Sequence, residues 1–417
     1  MLDSLFATTG HDKNAKACSR CLYTESHPLG LILDSNGLCS GCRVHDEKYS
    51  IDWEERLNKL KAYFNLQSFK NVDGLHDCVV YVDSDAESFY TVYLLKNVLG
   101  LEPLLVTFND YFRTDIGFKN INTLRTHFNC DLLSYSIRPS LYKNLIRESM
   151  VSHNNIMWPA LAAKTALPVK IAHARGIPTV VWGAHQGMEQ VGMFSHHDFV
   201  EMSQWYRDEH DLFGVSLDSL CSGGSLVARE SIPLLHYPDP DELIESGLKG
   251  IYLNNYFKWD PIKQNQKMIQ QGYTPEWSSG SFDYFDRSGS SVYYEMHDAC
   301  RLKRVGYAKI RDHVCREIRH GRINREQGQE LERLYLKRQP DITSFFNWLG
   351  VSTTGKIWMQ NWVTGEGEGA GSGSGSGSAS TELDQIPEGL KEFCHYYEKP
   401  KKKFCIFEKS LYLNSQQ

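Results

Sequence analysis

The sequence predicts an α/β protein, a parallel sheet with helices on both faces, preceded by a small cysteine-rich module. Three observations predict it. Short apolar runs alternate with helical stretches between residues 78 and 182. Those stretches are long enough for right-handed crossovers, so successive strands run parallel. Ahead of them, four cysteines form two knuckles, Cys18-x-x-Cys21 and Cys39-x-x-Cys42, with 17 residues between.

The knuckles come first in the chain. Two Cys-x-x-Cys pairs at this spacing match a zinc ribbon, in which each knuckle aims two thiolates at one tetrahedral centre. Ser19, Asn36-Gly37 and Ser40-Gly41 supply turn-forming residues where the chain must bend. Two disulfides are the alternative reading of the same four residues. With all four ligands from protein, the zinc would be structural, and the ribbon would occupy residues 1–50.

An amphipathic connector helix follows, with Trp53, Leu57, Leu60 and Phe64 at helical spacing. The expected strands are 78–82, 104–108, 131–135 and 178–182. Helices are expected over 89–98, 116–128 and 161–175, the last kinked or split at Pro168. Further helices are expected at 242–248, 260–271, 308–319, 331–335 and 342–349, so residues 51–360 read as one α/β body with a helical C-terminal part. From Gly365 the composition becomes that of a flexible Gly/Ser linker (365–381), natural or engineered, before a tail (382–417) whose basic cluster is Lys399 to Lys403.

Composition narrows the class. Of 417 residues, 41% are hydrophobic and 23% charged, as in a soluble globular protein. A net charge of −6 argues against bulk electrostatic binding to nucleic acid. No basic stretch leads into a long apolar run at the start, and no run approaches membrane-spanning length. Eleven cysteines, four in a metal pattern, fit a reducing compartment. The expectation is a cytoplasmic protein.

In open parallel sheets, ligands bind in the turns after the strands, here after residues 82, 108 and 182. The first turn, Asp83-Ser84-Asp85-Ala86-Glu87-Ser88, has no glycine and three acids. On residue chemistry it is a helix cap, with Asp85 or Ser84 as N-cap and Glu87 or Ser88 in the first turn.

The order of features along residues 18–350 resembles the N-acetyl sugar amidotransferase family, PP-loop enzymes that make acetamidino sugars for bacterial surface polysaccharides such as O-antigen. The resemblance is carried by Leu38-Cys39-Ser40-Gly41-Cys42-Arg43, by Pro103 to Asn109 with Thr114-Asp115-Ile116-Gly117, and by Trp182-Gly183-Ala184-His185-Gln186-Gly187. Gln190 to His196, Gly250 to Tyr256 and Asp312 to Arg319 continue it. It implies a PP-loop (HUP-like) nucleotide-binding fold. It implies also that ATP with Mg²⁺ activates the amide oxygen of a nucleotide-linked N-acetyl sugar, after which ammonia gives the acetamidine. The ammonia would come from a glutaminase partner, with a cyclase-like ammonia-channel subunit as a further partner.

The family's phosphate loop reads Ser-Gly-Gly-x-Asp-Ser. Its matching positions here are Asp83, Ser84, Asp85, Ala86, Glu87 and Ser88, and with Thr107 they are the expected ATP-binding residues. Only the last serine is retained. A like-charge pair at about 4 Å costs about 1 kcal/mol in water-like surroundings and about 4 kcal/mol at an effective dielectric near 20. Two carboxylates facing polyphosphate would thus offset a micromolar affinity, roughly 8 kcal/mol. Weak or absent ATP binding is expected unless Mg²⁺ bridges them.

His185 and Gln186, at the end of the fourth strand, are expected to face ligand. Asp312 and Arg316, with His313 on the same helix, would either bind a sugar carboxylate or phosphate or form an internal salt bridge. These four are the candidate catalytic residues. His196 and His197 read as surface residues, and Cys130 and Cys315 as small core residues. Three readings follow: an ATP-dependent amidotransferase subunit, a catalytically silent binding or scaffold relative, and, less favoured, a tRNA-modifying PP-loop enzyme.

Overall fold

The computed structural model describes residues 15–364, apart from 68–73, 222–224, 277–279, 287–288 and 337–339. The linker (365–381), the basic tail (382–417) and the start of the ribbon lie outside the described residues. After the knuckles, helices α1 (Ser40–Glu47) and α2 (Trp53–Gln67) lead into the α/β body. There follow β1 (Cys78–Tyr81), α3 (Ala86–Tyr93), β2 (Pro103–Phe108), α4 (Asp115–His127), β3 (Leu132–Tyr135), α5 (Pro139–His153), α6 (Trp158–Arg175), β4 (Thr179–Trp182) and α7 (Gln186–Val191). Two short helices, α8 (Gln204–Tyr206) and α9 (Leu217–Leu220), precede α10 (Pro240–Ser246), β5 (Lys249–Tyr252) and α11 (Pro261–Lys267). The chain then runs through α12 (Tyr294–Val305), α13 (Lys309–Arg319), α14 (Arg325–Tyr335), α15 (Ile342–Leu349) and α16 (Ser352–Thr364).

The five strands form one sheet, all parallel, in the order β3-β2-β1-β4-β5. The order reverses between β1 and β4. That reversal opens a crevice at the carboxyl ends of these two strands, where such folds bind ligands. Side-chain alternation divides the core. Val79, Leu104, Val106 and Val180 pack with α5, α6, α15 and α16, while Cys78, Val80, Leu105 and Val181 pack with α2, α3 and α4.

Three differences from the sequence reading have physical reasons. The helix carrying Pro168 is not split: α6 runs unbroken from Trp158 to Arg175. Packing of Ala160, Ala163, Leu167 and Ala172 against the sheet outweighs the roughly 3 kcal/mol that an interior proline costs. Strand β5 was not expected, because only Ile251 and Tyr252 of its four residues are buried. Helix α5 was not expected either, although Leu141, Tyr142, Leu145, Ile146, Ser149 and Met150 make a buried helical face.

The knuckles do not stand apart from the body. Leu22, Tyr23 and Leu31 share a core with Tyr307, between α12 and α13, and with Ile310, Val314, Ile318 and Leu331 of α13 and α14. The Arg325 guanidinium donates to the carbonyls of Cys18 (2.6 Å) and Cys21. Ribbon and helices α13 and α14 therefore bury one apolar surface between them.

One backbone approach explains Gly117, in the first turn of α4. Thr114 caps the helix by accepting from the Gly117 amide at 3.1 Å, and its own amide donates to the Gly289 carbonyl at 3.0 Å. A Cβ at residue 117 would collide with that same carbonyl. Gly117→Ala is expected to destabilise the fold by about 1–3 kcal/mol, the range for overpacking a close contact; urea unfolding measures it.

Candidate functional site

The four knuckle thiols converge. Cys18 Sγ and Cys42 Sγ are 3.9 Å apart, Cys21 Sγ and Cys39 Sγ 3.6 Å, and all four sulfurs lie within 4.8 Å of one another. A tetrahedron with Zn–S bonds of about 2.3 Å has edges of about 3.8 Å, so the donor set fits Zn²⁺. The separations are far too long for disulfides. Backbone amides of Arg20 and Cys39 point at Cys18 Sγ (3.4 and 3.3 Å), and that of Cys42 points at Cys39 Sγ (3.4 Å). Arg319 Nη2 lies 3.8 Å from Cys39 Sγ and 3.9 Å from Cys21 Sγ. These donors would partly neutralise a four-thiolate centre, which carries two negative charges when zinc is bound.

A cavity of about 360 Å³ lies at the carboxyl ends of β1 and β4. The first turn, the start of α7, α12 with the start of α13, and Pro28-Leu29 of the ribbon all border it. In the turn, Asp85 caps α3, accepting from the Ser88 amide (2.9 Å) and Ser88 Oγ (2.8 Å). The Asp83 amide donates to Ser88 Oγ (2.8 Å), the Ser84 amide to Asp83 Oδ1 (2.9 Å), and the Ala86 amide to the Phe285 carbonyl (3.4 Å). Amides that would cradle a phosphate in a glycine loop thus already have partners.

Charge in the turn is balanced more than its composition suggests. Asp83 is held between Lys164 Nζ and Arg113 Nη2, the latter at 3.3 Å. Burial pushes the Asp83 carboxyl up, but Lys164 and Arg113 outweigh it and hold the carboxyl down at about 2. Burial, then the Asp83 charge, lift Asp85 to about 6. Burial, then Asp85, lift Glu87 to about 8. Glu87 Oε1 accepts from the Ala184 amide at 3.0 Å, and a Cβ at Gly183 would lie only 2.5 Å from that oxygen. Glycine at 183 lets the β4 turn approach this carboxyl.

The structure brings some of the expected site residues together and separates others. Asp83, Asp85, Glu87, Ser88, Gln186 and Asp312 line the cavity. Ser84 and Ala86 are buried away from it, and Thr107 Oγ1 accepts from Arg113 Nη2 at 3.0 Å beneath the turn. His185 is buried as the N-cap of α7, its Nδ1 accepting from the Met188 amide at 3.1 Å and its ring packed against Tyr206 and Tyr252. Burial pushes its pKa down to about 3, a neutral structural imidazole. Arg316 takes the internal salt-bridge alternative, donating to Asp283 (2.6 Å) and Glu317 (2.5 Å). Asp312 accepts from Tyr23 Oη (2.6 Å) and Arg301 Nη2 (2.8 Å), so it joins ribbon, α12 and cavity. His313 is engaged by Ser281 and by Asp286 at 2.6 Å. His196, expected at the surface, is fully buried edge-on to Trp53, whereas His197 is exposed. Cys315 is buried, its sulfur accepting from the Leu22 amide at 3.3 Å, and Cys130 is half-buried.

Sequence reasoning missed the cations and rings of this cavity: Lys164, Arg301, Arg304, Tyr81 and Trp182. The 294/297/301/304 spacing was the available signal for the α12 face, since those positions share one side of a helix.

Comparison with known proteins bears on this second wall. Residues 279–356 match the family model described as LPS biosynthesis protein WbpG-like, C-terminal domain. The chain carries a WbpG-like C-terminal domain. Helices α12 to α15 lie within that domain, which therefore supplies Arg301, Arg304, Lys309 and Asp312 to the cavity. The match falls in the stretch whose sequence resembles surface-polysaccharide enzymes. No curated protein matches the chain. Among solved structures, the NH3-dependent NAD synthetase of Campylobacter jejuni is 14% identical, with a TM-score of 0.27, covering 55% of this chain and 99% of its own. The NMN synthetase of Francisella tularensis is 10% identical, with a TM-score of 0.24, covering 52% and 96%. Likeness at those scores has no bearing on function. Among the described residues, no helix is long and apolar enough to cross a membrane.

Two outcomes follow for this chain. Purified protein is expected to hold one equivalent of zinc, and Cys39→Ser or chelation is expected to release it and lower the thermal midpoint by on the order of 10 °C, because the knuckles share a core with α13 and α14; metal analysis and calorimetry measure both. Glu87, ordinarily near 4.5, is raised to about 8 in the fold, so the folded chain binds the extra proton and loses stability as pH rises between those values. Glu87→Gln keeps an acceptor for Ala184 and is expected to raise the midpoint at pH 9 but not at pH 5.

Proposed function

We propose that this chain is the sugar-nucleotide-binding subunit of an amidotransferase system that converts an N-acetyl group to an acetamidino group in LPS biosynthesis, with ammonia from a glutaminase partner. The observation that carries this reading is the cavity at the β1/β4 crevice, one wall of which is the WbpG-like domain. An amide carbonyl is a poor electrophile and its oxygen a poor leaving group, so the reaction needs an activating group such as ATP. The turn at 83–88 is ill-suited to hold that group, since the amides of Asp83, Ser84, Ala86 and Ser88 are already bonded within the protein. In this reading the chain binds sugar nucleotide in the crevice and leaves phosphoryl chemistry to another component.

A second reading, an ATP-dependent amidotransferase complete in this chain, is favoured by Lys164 and Arg113. They neutralise Asp83, and Glu87 near 8 is protonated at neutral pH, so the electrostatic barrier to phosphate is smaller than three acids imply. ATP, if held, would meet Lys164 and Ser88, with Mg²⁺ at the carboxylates; it would supply the activating adenylyl group.

The two readings separate by calorimetry and by product. The chain as it stands is expected to show no micromolar Mg-ATP binding through the 83–88 turn and no acetamidine from ammonia, ATP and a nucleotide-linked N-acetyl sugar. The triple variant Asp83→Ser, Ser84→Gly, Asp85→Gly is expected to gain Mg-ATP binding. Micromolar Mg-ATP binding by the parent, lost on Asp83→Ala and Asp85→Ala, would overturn the binding-subunit reading.

A further inference from the structure

The α12 wall of the cavity carries a cation that has no carboxylate partner among the described residues. On α12, Tyr294, His297, Arg301 and Arg304 recur at intervals of three and four residues and all border the cavity. Arg301 is paired: it donates to Asp312 at 2.8 Å and lies over the Tyr307 ring at 4.6 Å. Lys309 lies 3.1 Å from Asp286 and 3.7 Å from Asp312. Arg304 differs. Its Nη1 donates to the Asn154 carbonyl at 3.1 Å and its guanidinium lies 5.2 Å from the centre of the Phe213 ring. Among the described residues, no carboxylate is within ion-pair distance of it. Burial, and then the neighbouring Arg301 charge, push its pKa down to about 10. A half-buried cation beside a second cation is a costly arrangement that an entering anion relieves.

We propose that Arg304, backed by Arg301, is the anion-recognition residue of this cavity and takes the phosphate or diphosphate of a nucleotide-linked ligand. This rests on reading the cavity as a sugar-nucleotide site. A guanidinium presents parallel N–H groups that match two phosphate oxygens, which an ammonium cannot do. The volume of about 360 Å³ falls at the lower end of small-molecule sites. In the same cavity, the Tyr81 and Trp182 rings are stacked at 6.5 Å with a 24° tilt, giving the remainder of the ligand an aromatic surface. The ligand's phosphates thus face the WbpG-like wall rather than the turn that a glycine loop would use for ATP.

Isothermal titration of the full chain at low salt tests this with UDP, inorganic pyrophosphate and uridine as probes. UDP and pyrophosphate are expected to bind, with uridine at least about tenfold weaker. Arg304→Gln is expected to weaken UDP roughly 10- to 100-fold, the effect of losing a charged hydrogen-bond partner. Arg304→Lys keeps the charge without the fork and is expected to fall between, which preserves the test should the glutamine variant fold poorly. Arg333→Gln, at an exposed pair with Glu330, is the charge control and should leave binding unchanged. Equal binding of UDP and uridine, failure of both UDP and pyrophosphate to bind, or parental UDP affinity in a folded Arg304 variant would overturn the inference. UDP binding through Arg304 without acetamidine formation by the reconstituted system would leave it standing and remove the amidotransferase reading. Undiminished acetamidine formation by Arg304→Gln would do the reverse.

Discussion

The arrangement around the crevice depends on one buried carboxylate. Asp83 leaves the end of β1 and meets Lys164 from α6 and Arg113 from the segment after β2. Arg113 in turn bonds Thr107 Oγ1 and the Phe108 carbonyl, so this cluster ties the ends of two neighbouring strands to the helix that covers them. Without the carboxylate, two cations would lie in a poorly solvated site with no counter-charge, a loss of about 3–5 kcal/mol by analogy with broken buried pairs. The start of the turn that borders the cavity is anchored through this cluster. The same carboxylate makes the turn electrically quiet, so the obstacle to a nucleotide polyphosphate there is occupied amides rather than repulsion.

The second wall is built differently. Tyr23 in the first knuckle bonds Asp312, Asp312 pairs with Arg301, and Arg319 and Arg325 reach back to the knuckle sulfurs and carbonyls. The cysteine-knuckle module and the WbpG-like helices are therefore one mechanical unit. Asp312 is the hinge between two roles, since it fixes Arg301 by charge while exposing part of its own surface to the cavity.

Much of this was legible in the chain. The cysteine quartet gave its own geometry because ligand spacing is a local property, and four of the five strands announced themselves as apolar runs between turn residues. Asp85 as an N-cap followed from residue chemistry alone, and the structure places it there. What sequence did not reveal depended on partners distant in the chain. His185 looks ligand-facing from its position after β4, yet Tyr206 and Tyr252 enclose it, and neither lies near it in sequence. Thr107 follows the same logic, because its partner Arg113 comes from the loop that folds under the turn. The acidic turn suggested strong repulsion only because Lys164, 81 residues away, was not yet beside it.

The knuckle-to-helix contact carries a consequence for how the chain is made. Cys18 and Cys42, whose sulfurs meet in the quartet, are 24 residues apart, so the quartet assembles from one short stretch of chain. Tyr23 and Asp312 are 289 residues apart, and Leu22 and Cys315 are 293 apart. The apolar face of the module must therefore wait, without its partner, while the intervening residues are translated at about 5–20 residues per second. For roughly 15–60 s that face lacks its partner, so a metal held by the four thiols would be what orders it, and metal supply during translation would then bear on how much chain escapes aggregation.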